Sequence, residues 1–182
     1  AIDIDPENDI FYNRLAQLQH DFLGENMEAI ININKAIEIN PDYPYHHFIL
    51  STFFEDNNKF FNSFKSISKA ILLDSDNFIW FEFRGKYNYK LRDYDSAILD
   101  YTKAIDLHKL NFGKIDEFTG WKFDEDYGGF LSDLYVERAK ILKEMDDIEG
   151  SCKDYYSALE ILVKDSFYSR DEIEKLILDD CN

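Results

Sequence analysis

The sequence predicts an all-α protein in which similar pairs of antiparallel helices follow one another along the chain. The clearest pair is 78–109, where apolar residues recur at spacings of three and four, the helical period. An Ala followed by Ile or Leu returns at positions 1, 36, 70, 104 and 158, at intervals of 35, 34, 34 and 54 residues. A period of this length is typical of a solenoid of stacked helix pairs.

Composition limits the functions that fit the chain. Its 182 residues are 45% hydrophobic and 16% aromatic, with only 7 Gly and 3 Pro, which disfavours disorder and an all-β fold. The formal net charge of -17 disfavours binding to nucleic acid or anionic lipid. No apolar run approaches the roughly 20 residues of a membrane span, and no signal peptide opens the sequence. We therefore expect a cytoplasmic protein without membrane insertion, and a processed secreted domain stays open as the alternative.

The two helices of 78–109 carry small residues where they should cross. Gly85 lies on the first helix, and Ala97 and Ala104 lie on the second. Small side chains at such positions let two helices approach closely. Asp93 stands where the second helix must begin, and we expect it to be the N-cap.

This stretch resembles the tetratricopeptide repeat, which pairs a large residue, Leu-Gly and Tyr on one helix with Ala, Phe, Ala and Pro on the next. Arg-Gly stands here in place of Leu-Gly, a common variant. The resemblance implies a right-handed superhelical solenoid, an α-α superhelix, whose first helices line a concave groove that binds a protein or peptide. The matching residues are Phe81, Arg84, Gly85, Ala97, Tyr101 and Ala104.

The same register divides the whole chain. The match between 1–8 and 36–43 predicts that the chain begins within a repeat, because a longer protein was trimmed or because the native chain begins with a partial repeat. One extra residue of the first complete repeat should fall between Ala16 and Gly24. The predicted segments are the end of a truncated repeat at 1–8, repeats at 9–43, 44–77 (divergent), 78–111 and 132–165, an insertion at 112–131 and a C-terminal capping helix at 166–182. We expect Ser169 to be the N-cap of this last helix, whose outer face, with Asp171, should be polar.

The predicted insertion is rich in aromatic residues, including Trp121. We expect it to be a loop that packs on the third and fourth repeats or lies partly in the groove, since so many rings are unusual in a solvated loop. A partner-binding loop is the alternative. Its run of acidic residues at 124–126 lacks the spacing of a calcium-binding EF-hand.

Groove residues follow from the family's columns on the first helix of each repeat. In the third and fourth repeats the Lys and acidic residues of these columns are nearly balanced, in contrast to the chain as a whole. One hypothesis is that aromatic side chains pack on a peptide while Lys86 and Lys140 bind its carboxylates. The alternative is that these lysines only pair with Glu82 and Glu137 on a solvated face. The candidate groove residues are Asn13, Gln17, Tyr45, Phe48, Thr52, Glu82, Lys86, Tyr89, Val136 and Lys140.

One subclass of the family binds the C-terminal carboxylate of chaperones through Lys, Asn and Arg in fixed columns. Asn13, Gln17, Phe48, Ile49 and Ile79 do not reproduce that set. Recognition of chaperone tails is therefore disfavoured.

The sequence indicates no catalytic, cofactor or metal site. His46 and His47 are adjacent and should point about 100° apart on a helix, so they cannot bind one ion together. We expect His20 and His108 to be surface residues. The two cysteines, at 152 and 181, do not form a disulfide framework; we expect Cys152 to be a buried thiol and the C-terminus to fray.

We therefore predict a scaffold that binds an unidentified protein or peptide and is not an enzyme. The alternatives are a noncatalytic regulatory or substrate-docking module of a larger multidomain enzyme, or a segment that self-associates end to end through an apolar face at Ile2 and Ile4.

Overall fold

The computed structural model describes residues 6–24, 26–111, 128–162 and 166–181, and every regular element in these ranges is helical, as predicted. The chain divides into two compact units, Ala1–Asp76 and Asn77–Asn182. The first unit contains α1 (Asp9–Leu18), a π-helical segment (Gln19–Leu23), α2 (Asn26–Ile39), α3 (Pro44–Asp56) and α4 (Phe60–Leu73). The second contains α5 (Phe78–Lys90), α6 (Tyr94–Asn111), α7 (Gly128–Glu144), α8 (Ile148–Ile161) and α9 (Arg170–Asp180).

The core of the first unit forms around small residues that the sequence places on one face of each helix. Ala16, Ala29 and Ala36 are fully buried, and they pack with Ile33 and Phe53. Such small side chains leave room for close helix contact, and the larger ones fill the space between. The small residues of α1 and α2 therefore lie in the core.

The π-helical segment at Gln19–Leu23 explains the interval of 35 residues in the first repeat. A π turn holds one more residue than an α turn, so it takes up a single insertion without changing the faces of the flanking helices. It lies between Ala16 and Gly24, where the spacing predicts the extra residue.

The turn within each helix pair contains one residue in the left-handed backbone region. These residues are Gly24, Asn58, Arg92 and Asp146, with φ of 67°, 55°, 64° and 63°. Residues other than Gly are disfavoured in this region, and Asn and Asp are disfavoured less than the rest. Arg92 thus takes a strained conformation that its own residue type does not favour, because the turn between α5 and α6 requires it.

Helices α5 and α6 of the second unit approach closely at Gly85. A Cβ atom at this position would lie 3.0 Å from two ring carbons of Tyr101, closer than nine in ten Cβ contacts, so the buried Tyr101 ring would have to shift. Ala97 and Ala104 are fully buried on α6. Asp93 Oδ1 accepts a hydrogen bond from the backbone N–H of Ser96 at 3.2 Å, so it caps α6 as predicted.

Equivalent ion pairs join the two helices of each pair in this unit. Arg84 binds Asp100 through two hydrogen bonds of 2.9 and 2.6 Å, and Arg138 binds Asp154 through two of 2.7 Å. Both carboxylates are buried. The two pairs occupy corresponding positions on α5–α6 and α7–α8, because both separations are 16 residues.

Helix α9 closes the second unit. Ser169 caps it in a reciprocal capping box with Glu172, as the sequence predicts for Ser169. Ile173 is fully buried against Val136 and Tyr155. Asp171, on the polar outer face predicted for this helix, is exposed.

The expectation for the cysteines was wrong. Cys152 on α8 and Cys181 at the end of α9 form a disulfide, with their Cα atoms 5.7 Å apart. Sequence spacing gave no indication of this pair because it depends on where α9 lies against α8. The bond links the end of α9 to α8.

The expectation that His20 and His108 are surface residues was also wrong. The His20 ring stacks on Phe53 at a centroid distance of 4.3 Å, and its side chain is only 12% exposed. His108 is 1% exposed and contacts Phe78 edge to face. Apolar rings on neighbouring helices cover both imidazoles.

Helix α7 begins at Gly128, before the predicted start of the fourth repeat at Ser132. The rest of the predicted insertion, 112–127, lies outside the described residues. None of the described helices is both long and apolar enough to cross a membrane.

Candidate functional site

A cavity of about 510 Å³ lies in the second unit, with α5 on one side and α7 on the other. Residues spaced by three and four face it from both helices, since that spacing places side chains on one side of a helix. It is lined by Glu82, Lys86, Tyr89 and Lys90 of α5, Tyr101 of α6, Phe130, Asp133, Glu137, Lys140 and Ile141 of α7, and Phe167 and Tyr168 before α9. We call this cavity the α5–α7 pocket.

Asp133 fixes the segment that forms one wall of the pocket. Its carboxylate accepts hydrogen bonds from the backbone N–H groups of Phe167, at 3.0 Å, and Tyr168, at 3.3 Å. Burial raises the pKa of Asp133, and these two hydrogen bonds only partly oppose that effect. Residues 167–168 therefore stay against α7 while both oxygens of Asp133 are engaged.

Glu137, Lys140 and Tyr168 form a connected group beside Asp133. The Tyr168 hydroxyl donates to Glu137, and the Lys140 ammonium contacts both that hydroxyl and Glu137 Oε1, the latter at 3.2 Å. The ammonium also lies 4.2 Å from the centroid of the Tyr168 ring. Burial, followed by the hydrogen bond to Glu137, raises the pKa of Tyr168. The charges of Glu137 and Lys140 thus balance each other locally.

Glu82 differs from the other two acidic residues of the pocket. Among the described residues, none donates a hydrogen bond to its half-buried carboxylate. Burial raises the pKa of Glu82 to about 7, and the negative charges of Asp133 and Glu137 add to this effect while Lys86 opposes it. Glu82 is therefore an acceptor that can take a donor from a bound molecule.

Tyr89 lies at the end of the pocket near the turn after α5. Its hydroxyl donates a 2.5 Å hydrogen bond to Glu144 Oε1. This bond, with burial as the second cause, raises the pKa of Tyr89 to about 12. Glu144 and Tyr94 also line a second, smaller cavity of about 300 Å³ beside Tyr89.

The candidate residues of the second unit come together in the α5–α7 pocket with one exception. Glu82, Lys86, Tyr89 and Lys140 all line it. Val136 is fully buried in the core with Ala139 and Tyr155 and does not line the pocket, because it lies on the side of α7 that faces α8 and α9.

The candidate residues of the first unit occupy different environments. Asn13 is buried, with 3% of its surface exposed, and Gln17 donates to its Oδ1 atom at 2.5 Å. Thr52 donates to the carbonyl of Ile49 within its own helix. Tyr45 and Phe48 are half-buried, and their rings contact each other with centroids 5.7 Å apart. Of the five, only the two aromatic residues present large apolar surfaces.

Asn13 instead belongs to a buried series of hydrogen bonds that sequence reasoning missed. Asn13 Nδ2 donates to His46 Nδ1 at 2.7 Å, and His46 Nε2 donates to Asp9 Oδ2 at 2.9 Å. Asn40 donates to the same carboxylate oxygen at 2.9 Å. Burial would raise the pKa of Asp9, but the bonds from His46 and Asn40 outweigh it and lower that pKa. These groups join α1, α3 and the end of α2.

The other residues that line the α5–α7 pocket differ in how far the sequence indicates them. Asp133 and Glu137 stand in the family's groove columns, so their positions were a usable signal. Phe167 and Tyr168 follow α8 outside the repeat pattern, and nothing in the sequence pointed to them. The described part of the chain contains no group of three or more His, Cys, Asp or Glu residues placed to bind a metal.

The tetratricopeptide repeat family model matches residues 11–43. Among solved structures, MamA has a TM-score of 0.71 at 18% identity, covering 88% of this chain and 81% of that one. YrrB, described as a tetratricopeptide protein with an unusual peptide-binding site, has a TM-score of 0.68 at 15% identity, covering 88% and 72%. The first repeat domain of Spaghetti (RPAP3), bound to the HSP90 peptide SRMEEVD, has a TM-score of 0.61 at 17% identity, covering 78% and 96%.

The chain has no significant sequence match among the curated proteins with which it was compared. At identities this low, the structural likeness shows the fold, a helical solenoid of the tetratricopeptide type.

Proposed function

Because this chain is a tetratricopeptide repeat protein, we propose that it is a scaffold that binds a peptide segment of a partner protein in the α5–α7 pocket. The observation that carries the proposal is the lining of that pocket, in which aromatic rings stand among charged groups of both signs. Rings supply apolar contact area, and the charged groups fix orientation. Neighbours in the same fold include proteins described as binding peptides.

The size of the pocket fits one or two side chains of a bound peptide better than it fits the surface of a folded partner. About 510 Å³ lies within the usual range for small-ligand sites, and it is enough for one or two side chains of an extended segment. A few buried anchors supply most of the affinity of such interfaces. We infer that the partner places an anchor between α5 and α7 while its backbone continues outside the pocket.

The first unit does not supply a carboxylate-binding set of the chaperone-tail type. Asn13 is buried and donates its side-chain N–H to His46, and Gln17 donates to Asn13. These observations support the sequence-based exclusion. Participation of Tyr45 and Phe48 in peptide binding stays a prediction.

The proposal assigns no chemical reaction to the chain. The charged groups of the α5–α7 pocket pair with each other, as in Glu137 with Lys140.

Selection from a random library of short displayed peptides tests the proposal. We expect the wild type to enrich peptides, and we expect the Phe130→Ala/Phe167→Ala variant to bind them at least about tenfold more weakly, since both residues line the pocket. A matched control is Phe22→Ala/Phe61→Ala, which removes two exposed rings from the first unit. Equal loss in the two variants, or no enrichment at all, would contradict a binding role for the pocket.

A second point concerns the compartment. Disulfides persist in oxidising compartments and are rare in the cytosol. The Cys152–Cys181 bond therefore supports a secreted or otherwise oxidising location over the cytoplasmic one.

A further inference from the structure

We propose that the peptide bound in the α5–α7 pocket inserts a Lys or Arg side chain whose cationic group binds the Glu82 carboxylate. This inference rests on the proposed function and specifies the chemistry of the partner. This chemistry is the opposite of the sequence-based hypothesis, in which Lys86 and Lys140 bind carboxylates of the peptide.

The first argument comes from which acceptors are already used. Asp133 accepts two backbone hydrogen bonds, and Glu137 accepts from Tyr168 and Lys140. Glu82 faces the same cavity and has no donor among the described residues. A half-buried carboxylate that lacks donors gains most from a bound group that donates N–H bonds, and an ammonium or guanidinium is the strongest such donor.

The second argument is electrostatic. The cavity is lined by three carboxylates and by the ammonium groups of Lys86, Lys90 and Lys140, so its charges are nearly balanced. Burial and the charges of Asp133 and Glu137 still disfavour the negative charge of Glu82, and Lys86 only partly opposes them. Lys140 is already engaged by Glu137 and Tyr168, so a carboxylate ligand would have to displace an existing contact to reach it. A cationic side chain would instead neutralise Glu82 and leave the hydrogen bonds of Asp133 and of Glu137 intact. The chain's net charge of -17 also favours encounter with a basic segment.

The third argument is the shape and chemistry of the walls. The pocket is lined by the rings of Tyr101, Phe130 and Phe167. Lys and Arg carry long apolar stems that pack on such rings while the charged end reaches a polar partner. The Lys140 ammonium already lies 4.2 Å from the centroid of the Tyr168 ring, so this wall accepts cation–ring contacts.

The experiment uses the tightest peptide from the library selection as the probe. Each Lys and Arg of that peptide is replaced in turn by norleucine and by Glu, and binding is measured by titration calorimetry to wild type, Glu82→Gln and Glu160→Gln. Glu160 is exposed on α8, so its change removes one charge away from the pocket. All three proteins are first compared by circular dichroism to establish equal folding.

We expect one basic residue of the peptide whose change to norleucine weakens binding to wild type and to Glu160→Gln by about tenfold or more. The same change should have little effect on binding to Glu82→Gln, because the contact is already lost. Carbon-13 NMR of the Glu side chains should show the pKa of Glu82 falling from about 7 when the peptide binds.

Two results separate this inference from the proposed function. If peptides bind to wild type and this binding is lost in Phe130→Ala/Phe167→Ala, but no basic residue couples to Glu82, the inference is overturned and the binding role stands. If the selected peptides bind the pocket variant as tightly as they bind wild type, the proposed function fails and the inference fails with it.

Discussion

His46 shows how a single residue can organise a unit of this fold. Its ring is fully buried, accepts from Asn13 at one nitrogen and donates to Asp9 at the other, and so adopts the neutral form with the proton on Nε2. Burial lowers the pKa of His46, with Asp9 opposing and His47 adding to the effect. A second proton would have no acceptor, because Nδ1 already receives the Asn13 hydrogen bond.

The stability of the chain should therefore fall in mild acid. Unfolded His46 takes up a proton near pH 6.5, whereas the folded form resists it, so the free energy of unfolding decreases as pH falls below that value. We expect His46→Gln to be less stable than wild type at about pH 7, by about 1–3 kcal/mol, and to lose less stability between about pH 7 and pH 5. Urea denaturation at several pH values measures both.

His47 is present in both proteins, so its own lowered pKa cancels from that comparison. An equal decline in wild type and His46→Gln would show that His46 does not cause the pH dependence.

The adjacent histidines also show where reasoning from the sequence stops. The two side chains have different partners, Asp9 for His46 and the Pro41 carbonyl for His47. Asp9 and His46 are 37 positions apart and lie on different helices. A pattern of helical faces predicts which residues point inward, but it does not predict which polar side chains meet there.

Within helix pairs, the buried Arg–Asp bridges are the main polar contacts between partners. Asp100 accepts from Asn88, at 2.9 Å, in addition to Arg84. Asp154 has Arg138 as its described partner, and Arg138 also donates to Thr102 at 2.8 Å. The two bridges correspond in position but not in the number of donors to the carboxylate.

This difference predicts unequal costs of losing the Arg. Arg138→Ala leaves the Asp154 carboxylate buried without its donor and should lower the free energy of unfolding by about 3–5 kcal/mol. Arg84→Ala should cost less, because Asn88 still donates to Asp100. Replacing both partners, as in Arg138→Met/Asp154→Leu, should recover most of the loss. Denaturation of the four proteins gives these values, and a double variant no better than Arg138→Ala would contradict the explanation.

At the level of elements, the sequence predicts well what depends on local pattern. The helical period, the caps at Asp93 and Ser169 and the extra residue before Gly24 all depend on near neighbours in the chain. The wall at 167–168 depends instead on backbone N–H groups that reach Asp133 from a segment outside the repeat. No periodic signal marks such a contact.

For the molecule as a whole, the acidic charge and the α5–α7 pocket favour the same kind of partner. A net charge of -17 attracts basic proteins over distances set by ionic strength, and under the proposal above the Glu82 carboxylate would then select among them. Whether the chain serves as a docking module of a larger enzyme, or associates end to end, stays a prediction.

The disulfide allows the compartment of the whole protein to be tested. If the chain resides in an oxidising compartment, protein recovered from cells under acid quench should react with a maleimide reagent at Cys152 and Cys181 only after reduction. The bond closes a loop with a separation of 29 residues, so Cys152→Ser/Cys181→Ser should lower the free energy of unfolding by about 3–4 kcal/mol, as measured against the oxidised wild type. Reduced wild type should have the same free energy of unfolding as the double variant, because Ser is close to Cys in size and neither protein has the disulfide. Thiols that react at once in quenched cells would instead favour the cytoplasm, where α9 would be retained on the second unit mainly by the burial of Ile173.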